Sequence, residues 1–380
     1  MAAISSSNTA FALDLLRILS QGNPSGNIFM SPLSISSALA IVYLGAKGDT
    51  AAQMAQALSF NSGHDVHADF QTLNGEINSP SASYILRLAN RLYGETTSNF
   101  LSEFLKATQK HYHADLRAVD FIGAPEECRA EINTWVEQQT ENKIKDVLKP
   151  GSVNTMTRLA LVNAIYFKGN WMHPFNEAFT KEMPFKINQN ESKPVQMMYQ
   201  MKKLPYNYIP DHSLQILELP YAQEELSMFI LLPEETTDGS NPLLKLENEL
   251  TREKLDEWTN RENMDVSSEV RVHLPKFKLE ENYEMKEALA KLGMTDVFCA
   301  GKADLSGMNS DGGLFLSTVA HKAFVEVNEE GTEAAAATVA MVTFCMLREE
   351  HFTADHPFLF FIRHNKTKSI LFLGRYSSPQ

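Results

Sequence analysis

The sequence predicts an α+β protein, because segments with helical periodicity fill its first third and short β-rich runs dominate the rest. The two kinds of segment do not alternate regularly, which favours mostly antiparallel sheets. Apolar residues make up 43% of the 380 residues, enough for a large core. No linker-like stretch, charge block or internal repeat marks a boundary, so we expect a single domain over residues 1–380.

The first third carries several helix signals. Ser31 before Pro32 predicts an N-cap and a helix that stops near Gly45. Thr50 and Gln53 have capping-box spacing and predict a helix over 51–58. Periodicity predicts the other elements of this part, namely helices over 11–19, 66–77, 100–111 and 126–140 and a strand over 84–93.

From residue 159 the pattern changes to short runs of β-branched, aromatic and aliphatic residues. These runs predict strands over 159–167, 215–219, 226–232, 270–274, 315–327, 358–364 and 369–376. Two segments with helical spacing interrupt them, over 243–258 and 284–292.

Charge and cysteine content exclude several classes of protein. A net charge of −13 argues against nucleic acid or an anionic membrane as partner, since both need a basic face. The three cysteines, Cys128, Cys299 and Cys345, are too few and too far apart for a disulfide framework, which fits a reducing compartment. The N-terminus lacks signal-peptide features, so we expect a cytoplasmic protein and leave open its release without such a signal.

Catalytic and metal motifs are weak. No GxSxG elbow occurs, so a hydrolase is disfavoured and no enzymatic activity is expected. His64 with His67, and His111 with His113, have loosely plausible ligand spacing. No cysteine or carboxylate set completes a site, and we expect neither a metal nor a cofactor.

One segment, between the predicted strands over 315–327 and 358–364, does not belong to any predicted element. It exceeds twenty residues, which is uncommon inside a compact domain unless the segment is functional or disordered. Residues 331–340 are almost all small, whereas residues 341–347 are apolar and would be an aggregation hazard in a bare linker. Helix propensity of the alanine run favours a local helix as one interpretation.

The small residues also suit a strand. Counting in twos places one set on a single face, Thr332, Ala334, Ala336, Thr338, Ala340 and Val342. Glu333 would lie on the opposite face, where its charge can remain in water. Gly331, which precedes the set, tolerates a large change in backbone angles.

Blocks along the whole chain resemble one family. The hinge motif of inhibitory serpins resembles EVNEEGTEAAAAT, and their C-terminal motif resembles DHPFLFFIRHNKTKSILFLGRYSSP. Further serpin-like blocks are NIFMSPLSISSALAIVYLGAKGDT, ANRLYG, LVNAIYFKGNW, HLPKF and ADLSGM. The chain is most similar to the intracellular, ovalbumin-type branch, whose members begin directly in their first helix.

The resemblance implies a fold of three β-sheets and about nine helices with an exposed reactive loop, here about residues 329–352. It also implies a suicide-substrate mechanism: a serine protease acylates on the loop, the freed loop inserts into the central sheet, and the protease stays covalently trapped. By this likeness, the hinge of the loop comprises Glu329, Glu330, Gly331, Thr332, Glu333, Ala334, Ala335, Ala336, Ala337 and Thr338.

The resemblance places the reactive bond at Cys345–Met346. A side chain the size of cysteine suits an elastase-like pocket, and cleavage after Phe344 would suit a chymotrypsin-like one. Arg348 invites a trypsin-like interpretation but lies three residues beyond the preferred bond. Catalysis by Cys345 itself is disfavoured, because a loop supplies no activating base.

Other serpin positions carry over one by one. A buried polar cluster beneath the opening strands corresponds to Ser31, Ser34, Asn163 and His321. Trp171 matches the tryptophan where the loop first enters the sheet, and Lys276 matches a position that can pair with Glu329. The histidine could equally be an ordinary core residue whose hydrogen bonds are satisfied, and that interpretation is compatible with this role.

The main alternative is a serpin without inhibitory activity, which acts as a carrier, chaperone or storage protein. Such members usually carry bulky or charged residues in the hinge, whereas Thr332 and residues 334–337 are small here. We therefore expect an inhibitor that acts as a monomer on elastase-like and chymotrypsin-like serine proteases.

Overall fold

The secondary structure is read from a computed structural model that describes residues 2–61, 63–330 and 348–380. Nine α-helices occur among these residues: α1 (Ala2–Gly22), α2 (Pro32–Leu44), α3 (Gly48–Ala57), α4 (Val66–Ile77), α5 (Ser102–Tyr112), α6 (Pro125–Gln139), α7 (Pro242–Glu249), α8 (Arg252–Thr259) and α9 (Lys286–Lys291). None of these helices combines the length and apolarity needed to cross a membrane.

The same residues form fifteen strands. They are β1 (Ile28–Met30), β2 (Ile85–Glu95), β3 (Leu116–Val119), β4 (Leu159–Lys168), β5 (Lys181–Lys186), β6 (Ser192–Lys203), β7 (Tyr206–Ile209), β8 (Leu214–Pro220), β9 (Leu226–Pro233), β10 (Glu269–Pro275), β11 (Phe277–Glu284), β12 (Leu316–Val327), β13 (Glu349–Thr353), β14 (Phe358–His364) and β15 (Ser369–Tyr376).

The described strands assemble into three sheets. A six-stranded sheet has the order β1-β15-β14-β9-β8-β7, a four-stranded sheet β13-β10-β6-β5, and a five-stranded sheet β11-β12-β4-β2-β3. Pairing is antiparallel except between β10 and β13, β12 and β4, and β2 and β3. The α+β class and the mostly antiparallel sheets are therefore confirmed.

Helix α2 joins two of the sheets. It is apolar nearly all round, which is typical of a helix buried on every side, and it packs between β15 of the six-stranded sheet and β4 of the five-stranded sheet. Ser31 caps its first turn by accepting a hydrogen bond from the Ser34 N–H, and Pro32 occupies the first helical position, as predicted. The N-terminus of α2 therefore lies against the five-stranded sheet.

Three local predictions are wrong. Helix α3 begins at Gly48, and the Thr50 hydroxyl, instead of capping the helix, accepts a hydrogen bond of 3.0 Å from the Asp304 N–H. The helix predicted over 243–258 is two helices, because Thr251 starts a new N-cap by accepting from the Lys254 N–H. The segment 284–292 is helical only from Lys286, since β11 extends to Glu284.

Candidate functional site

The candidate site lies where β12 and β4 meet. These strands are parallel, hydrogen-bonded neighbours, with Leu316 opposite Leu159 at one end of the pairing and Phe324 opposite Tyr166 at the other. We call this pairing the seam. Since the two strands pair directly, the five-stranded sheet is closed along the seam.

The four predicted polar residues meet beneath the middle of the seam, and we call them the polar cluster. His321 of β12 lies opposite Asn163 of β4, and their Nδ1 and Oδ1 atoms are 2.6 Å apart. Ser34 bonds to Asn163 through both amide atoms, with Oγ 2.6 Å from Nδ2 and 2.9 Å from Oδ1. Ser31 donates its N–H to His321 Nε2 at 3.0 Å and its hydroxyl to the Leu371 carbonyl at 2.6 Å. All four cluster residues are buried.

The contacts of His321 fix its protonation state. Nε2 accepts the Ser31 N–H, so the ring proton of the neutral form lies on Nδ1 and is donated to Asn163 Oδ1. Complete burial lowers the pKa of His321 to about 3, because the charged ring would lose its hydration. The hydrogen bond across the seam is therefore one between neutral groups.

The segment predicted to be the reactive loop begins just after β12, at the end of the seam where Phe324 lies opposite Tyr166. Phe175 donates its backbone N–H to the Glu329 carbonyl at 2.7 Å, and Trp171 donates its own to the Glu330 carbonyl at 3.3 Å. The Trp171 indole N–H donates to the Asn328 carbonyl at 2.9 Å. The first residues of the predicted hinge are thus held against the segment that follows β4.

An ion pair fixes the side chain of Glu329. Lys276 Nζ lies 2.9 Å from Glu329 Oε2, and the Thr180 hydroxyl donates to Oε1 at 2.9 Å. Burial alone would raise the pKa of Glu329, but hydrogen bonds from Lys276 and Thr180 outweigh it and hold the pKa below its ordinary value. The carboxylate therefore stays charged although only 4% of its side chain is exposed.

Trp171 is part of an aromatic group at the same place. Its ring stacks on Tyr221 with centroids 4.5 Å apart and meets Phe175 edge-on at 6.4 Å. Sequence reasoning missed Tyr221, Phe175 and Thr180, which lie in irregular segments or at strand ends and show no periodic pattern.

The described residues at the C-terminal end of the predicted loop are anchored on the four-stranded sheet. The Arg348 carbonyl accepts the Glu269 N–H at 3.1 Å, and β13 then runs parallel to β10. Glu349 pairs with Arg271. The remaining predicted loop residues lie outside the described ranges: Gly331, Thr332, Glu333, Ala334, Ala335, Ala336, Ala337, Thr338, Phe344, Cys345 and Met346.

The histidines with metal-like spacing have other contacts. His67 Nδ1 lies 2.5 Å from the Tyr112 hydroxyl, and His111 Nδ1 lies 3.1 Å from Gln71 Oε1. In the described ranges, the group of three ligand-type residues close enough for an ion is Glu235, Asp355 and His356. Lys186 lies 2.9 Å from Glu235 and 3.8 Å from Asp355, so an ammonium group already sits between these carboxylates and offsets part of their charge.

Comparison with known proteins identifies the class. The family model described as serpin (serine protease inhibitor) matches residues 6–379. This chain therefore belongs to the serpin family, as the sequence motifs predicted.

Curated relatives and solved structures narrow the likeness. The chain is 59% identical to the leukocyte elastase inhibitor of Homo sapiens and 57% identical to that of Equus caballus, each over 380 residues and the full length of both chains. A crystal structure of maspin superposes with a TM-score of 0.92 at 39% identity, covering 100% of this chain and 99% of that one. Uncleaved ovalbumin superposes with a TM-score of 0.89 at 37% identity, covering 99% and 100%. The predicted likeness to the ovalbumin-type branch is confirmed.

Proposed function

We propose that this chain inhibits elastase-like serine proteases as a suicide substrate, by inserting its cleaved reactive loop into the seam. The observation that carries the proposal is the position of the hinge. Because β12 and β4 are parallel, their C-terminal residues, Val327 and Lys168, lie at the same end of the seam. The backbone carbonyls of Glu329 and Glu330 accept hydrogen bonds there from the segment that follows β4. A released loop that reverses direction at Gly331 would enter the seam antiparallel to both neighbours.

The length and composition of the segment fit this role. An extended strand from Gly331 to Cys345 spans roughly 50 Å at about 3.3 Å per residue, enough to move an attached protease by its own diameter. Insertion of about a dozen residues with hydrogen bonds on both edges stabilises the product by roughly 10 kcal/mol, at about 0.5–1.5 kcal/mol per bond. Loss of one oxyanion-hole donor in the dragged protease slows deacylation by about 10²–10³, so the acyl-enzyme persists.

Insertion requires the polar cluster to divide. A new strand increases the distance between β12 and β4 from about 4.8 Å to about 9.6 Å, which breaks the bond between His321 and Asn163. Each half keeps a partner, because Ser31 bonds to His321 and Ser34 bonds to Asn163. The cluster thus holds the sheet closed and remains largely satisfied when it opens.

The preferred bond in this proposal is Cys345–Met346, with elastase-like enzymes as the first targets and cleavage after Phe344 by chymotrypsin-like enzymes as the second. A trypsin-like target is disfavoured because the Arg348 carbonyl is already hydrogen-bonded to the four-stranded sheet.

The remaining features of the proposal concern the whole chain. It acts as a monomer, without enzymatic activity, cofactor or metal, and forms a single domain, which the family match over residues 6–379 supports. It works in the cytoplasm, where the free thiols of Cys128 and Cys299 would persist. Release from the cell without a signal peptide stays a separate hypothesis. Helix α1 packs into the core through Phe11 and Leu15.

The deciding experiment mixes the purified chain with an elastase-like and, separately, a chymotrypsin-like protease, followed by denaturing gel electrophoresis. We expect a covalent complex with the mass of both proteins, and none when the protease serine is replaced by alanine. A cleaved chain without a complex would reject inhibition and favour a serpin that acts as a carrier, chaperone or storage protein. Mass spectrometry of the released C-terminal peptide identifies the bond.

A further inference from the structure

A cleft lies between helix α6 and the edge of the five-stranded sheet, away from the seam. Its volume is about 430 Å³, within the range of small-molecule sites. Arg91 and Tyr93 are two residues apart on β2 and so share a face, and Arg117 of β3 is the register partner of Tyr93. Glu131 and Trp135, one helical turn apart on α6, complete the wall. We call this the arginine cleft.

Arg91 is held in place by its ring contacts. Its guanidinium carbon lies 4.0 Å from the centroid of Trp135 and 5.8 Å from that of Tyr93. Stacking engages the face of a guanidinium and leaves the N–H groups at its edge free to bind an acceptor. The other arginines of these two strands are paired, Arg87 with Glu141 and Arg117 with Glu131, whereas no carboxylate of the described chain forms such a pair with Arg91.

Tyr93 adds a second donor. The residue is 1% exposed, and although the Arg91 guanidinium beside it can donate to the hydroxyl oxygen, the hydroxyl proton has no acceptor in the described part of the chain. Burial raises the pKa of Tyr93 to about 12, so the hydroxyl remains protonated at neutral pH. A buried hydroxyl without an acceptor is unfavourable, and an oxygen atom of a ligand in the cleft would satisfy it.

Glu131 limits the charge of the ligand. Its carboxylate lies 3.2 Å from Arg117 and offsets that cation, so the cleft has roughly one uncompensated positive charge, on Arg91. A monoanion matches this balance better than a dianion does. The rings of Trp135 and Tyr93, with centroids 6.2 Å apart, favour an apolar or aromatic body behind the anionic group.

From this geometry we infer that the arginine cleft binds a small aromatic or apolar monocarboxylate, whose carboxylate accepts from Arg91 and from the Tyr93 hydroxyl. Nothing in the proposed inhibitory mechanism uses these residues. The site is separate from the reactive loop and the polar cluster.

Binding here also bears on the opening of the sheet, a consequence that rests on the proposed function. Ile132 and Val136 of α6 share one buried apolar layer with Val162 of β4 and Ala320 of β12. An inserted strand separates β4 from β12, so this layer must divide and α6 must shift. A ligand wedged between α6 and β2 opposes that shift. It would therefore slow loop insertion and divert more of the chain to simple cleavage.

The binding test uses the whole chain and needs no protease. Thermal unfolding and tryptophan fluorescence are followed during titration with 2-naphthoate, with neutral 2-naphthamide and dianionic 2-naphthyl phosphate as comparison probes at constant ionic strength. We expect a saturable rise in Tm with naphthoate, and at least tenfold weaker binding of the amide and of the phosphate. Absence of saturation in the wild type, or tighter binding of the amide or of the phosphate, would overturn the assignment.

Three variants localise the effect. Arg91→Gln should weaken naphthoate binding at least tenfold, and Tyr93→Phe, which removes only the hydroxyl, several-fold. Arg87→Gln is the matched control, because it removes an arginine from the same strand outside the cleft, and it should bind like the wild type. Equal losses of naphthoate affinity in Arg87→Gln and Arg91→Gln would show that binding depends only on the total positive charge of the surface, and would reject the site.

The consequence for inhibition is measured separately, as the number of inhibitor molecules consumed per elastase-like protease with and without saturating naphthoate. We expect that number to rise about twofold or more in the wild type and to stay constant in Arg91→Gln. Saturable binding without such a rise would reject the coupling to sheet opening. Binding in a chain that forms no protease complex at all would reject the proposed function and leave the site in place.

Discussion

The six-stranded sheet and the seam of the five-stranded sheet differ in what holds their strands together. In the six-stranded sheet, Phe29 of β1 stacks on Phe372 of β15 at 5.4 Å and on Phe360 of β14 at 5.9 Å, and all three rings are fully buried. Large rings that interdigitate across neighbouring strands cannot be parted without leaving cavities. This sheet is built to remain closed.

The seam contains several small side chains in addition to large ones. Ala160, Ala164, Ala320 and Ala323 occupy its two strands, and none of them is more than 4% exposed. One short bond between neutral side chains, His321 to Asn163, crosses it. Separation of β12 from β4 parts one aromatic pair, Tyr166 with Phe324 at the end of the seam (ring centroids 5.8 Å apart), and otherwise a strand of small side chains can fill the gap beside the alanines. The comparison indicates that strands can separate at the seam in particular, and that the six-stranded sheet does not share this property.

The largest expected effect is that of cleavage of the loop. Once the loop is cut, an inserted strand should stabilise the chain by roughly 10 kcal/mol through new hydrogen bonds along the seam. Thermal unfolding of the intact and clipped chains measures this as a large rise in Tm. The clipped Thr332→Arg variant is the control, because a charge would have to enter the interior, and it should show little rise and act as a substrate. An unchanged Tm on clipping of the wild type would mean that no strand enters the seam, and would contradict the proposed difference between the two sheets.

Much of this contrast is visible in the sequence, but not all. Alternation of small residues after Gly331, the N-cap at Ser31 and the polar residues of the cluster were identified from local patterns and resemblance. The partners that seat the hinge were not, because Phe175, Thr180 and Tyr221 lie in irregular segments whose position depends on long-range packing. Strands such as β5 and β6 were missed since their lysines and prolines hide the β pattern of half-exposed strands.

The second prediction tests whether the six-stranded sheet stays closed independently of the seam. Arg375 of β15 and Glu247 of α7 form a buried ion pair of 2.9 Å, with 2% and 0% of their side chains exposed. Glu247→Gln leaves the arginine charge uncompensated and should lower the free energy of unfolding by about 3–5 kcal/mol. The control Glu253→Gln, in an exposed pair with Arg252, should cost less than about 1 kcal/mol.

Denaturant unfolding measures both variants. The comparison also predicts that Glu247→Gln leaves the stoichiometry of protease inhibition unchanged at a temperature where the variant is folded, since the pair lies outside the seam. A substantial change in that stoichiometry would show that the two sheets do not act independently.

The third effect tests the polar cluster. Asn163→Ala leaves the His321 N–H and the Ser34 hydroxyl without their partner and should cost about 1–3 kcal/mol. Asn90→Ala is the matched control, because Asn90 is the register partner of Asn163 on β2 and its Oδ1 has no described hydrogen-bond partner. We expect it to cost clearly less. Asn163→Ala should also speed heat-induced polymerisation, measured by native gel electrophoresis, whereas equal behaviour of the two variants would remove the special role of the cluster.

The smallest effect concerns the protonation of His321. Burial lowers its pKa from 6.5 to about 3, so the unfolded chain takes up a proton at a pH where the folded chain does not. The stabilisation is therefore complete above pH 6.5 and is lost progressively as the pH falls from 6.5 towards 3. Between pH 7.5 and 5 the loss amounts to about 2 kcal/mol, at about 1.36 kcal/mol per pH unit once the pH is below 6.5.

Denaturant unfolding of the wild type and of His321→Gln at pH 7.5 and pH 5 isolates this contribution, because other histidines titrate in both proteins. The variant should be less stable at pH 7.5, since glutamine cannot reproduce both ring contacts, but its stability should fall by about 2 kcal/mol less between the two pH values. Parallel losses in the two proteins would mean that His321 gains its proton as easily in the fold as outside it. At mildly acid pH the Ser31 N–H would then face a protonated Nε2, so His321 would lose its bond to the start of α2 while its Nδ1–H could still donate to Asn163 across the seam.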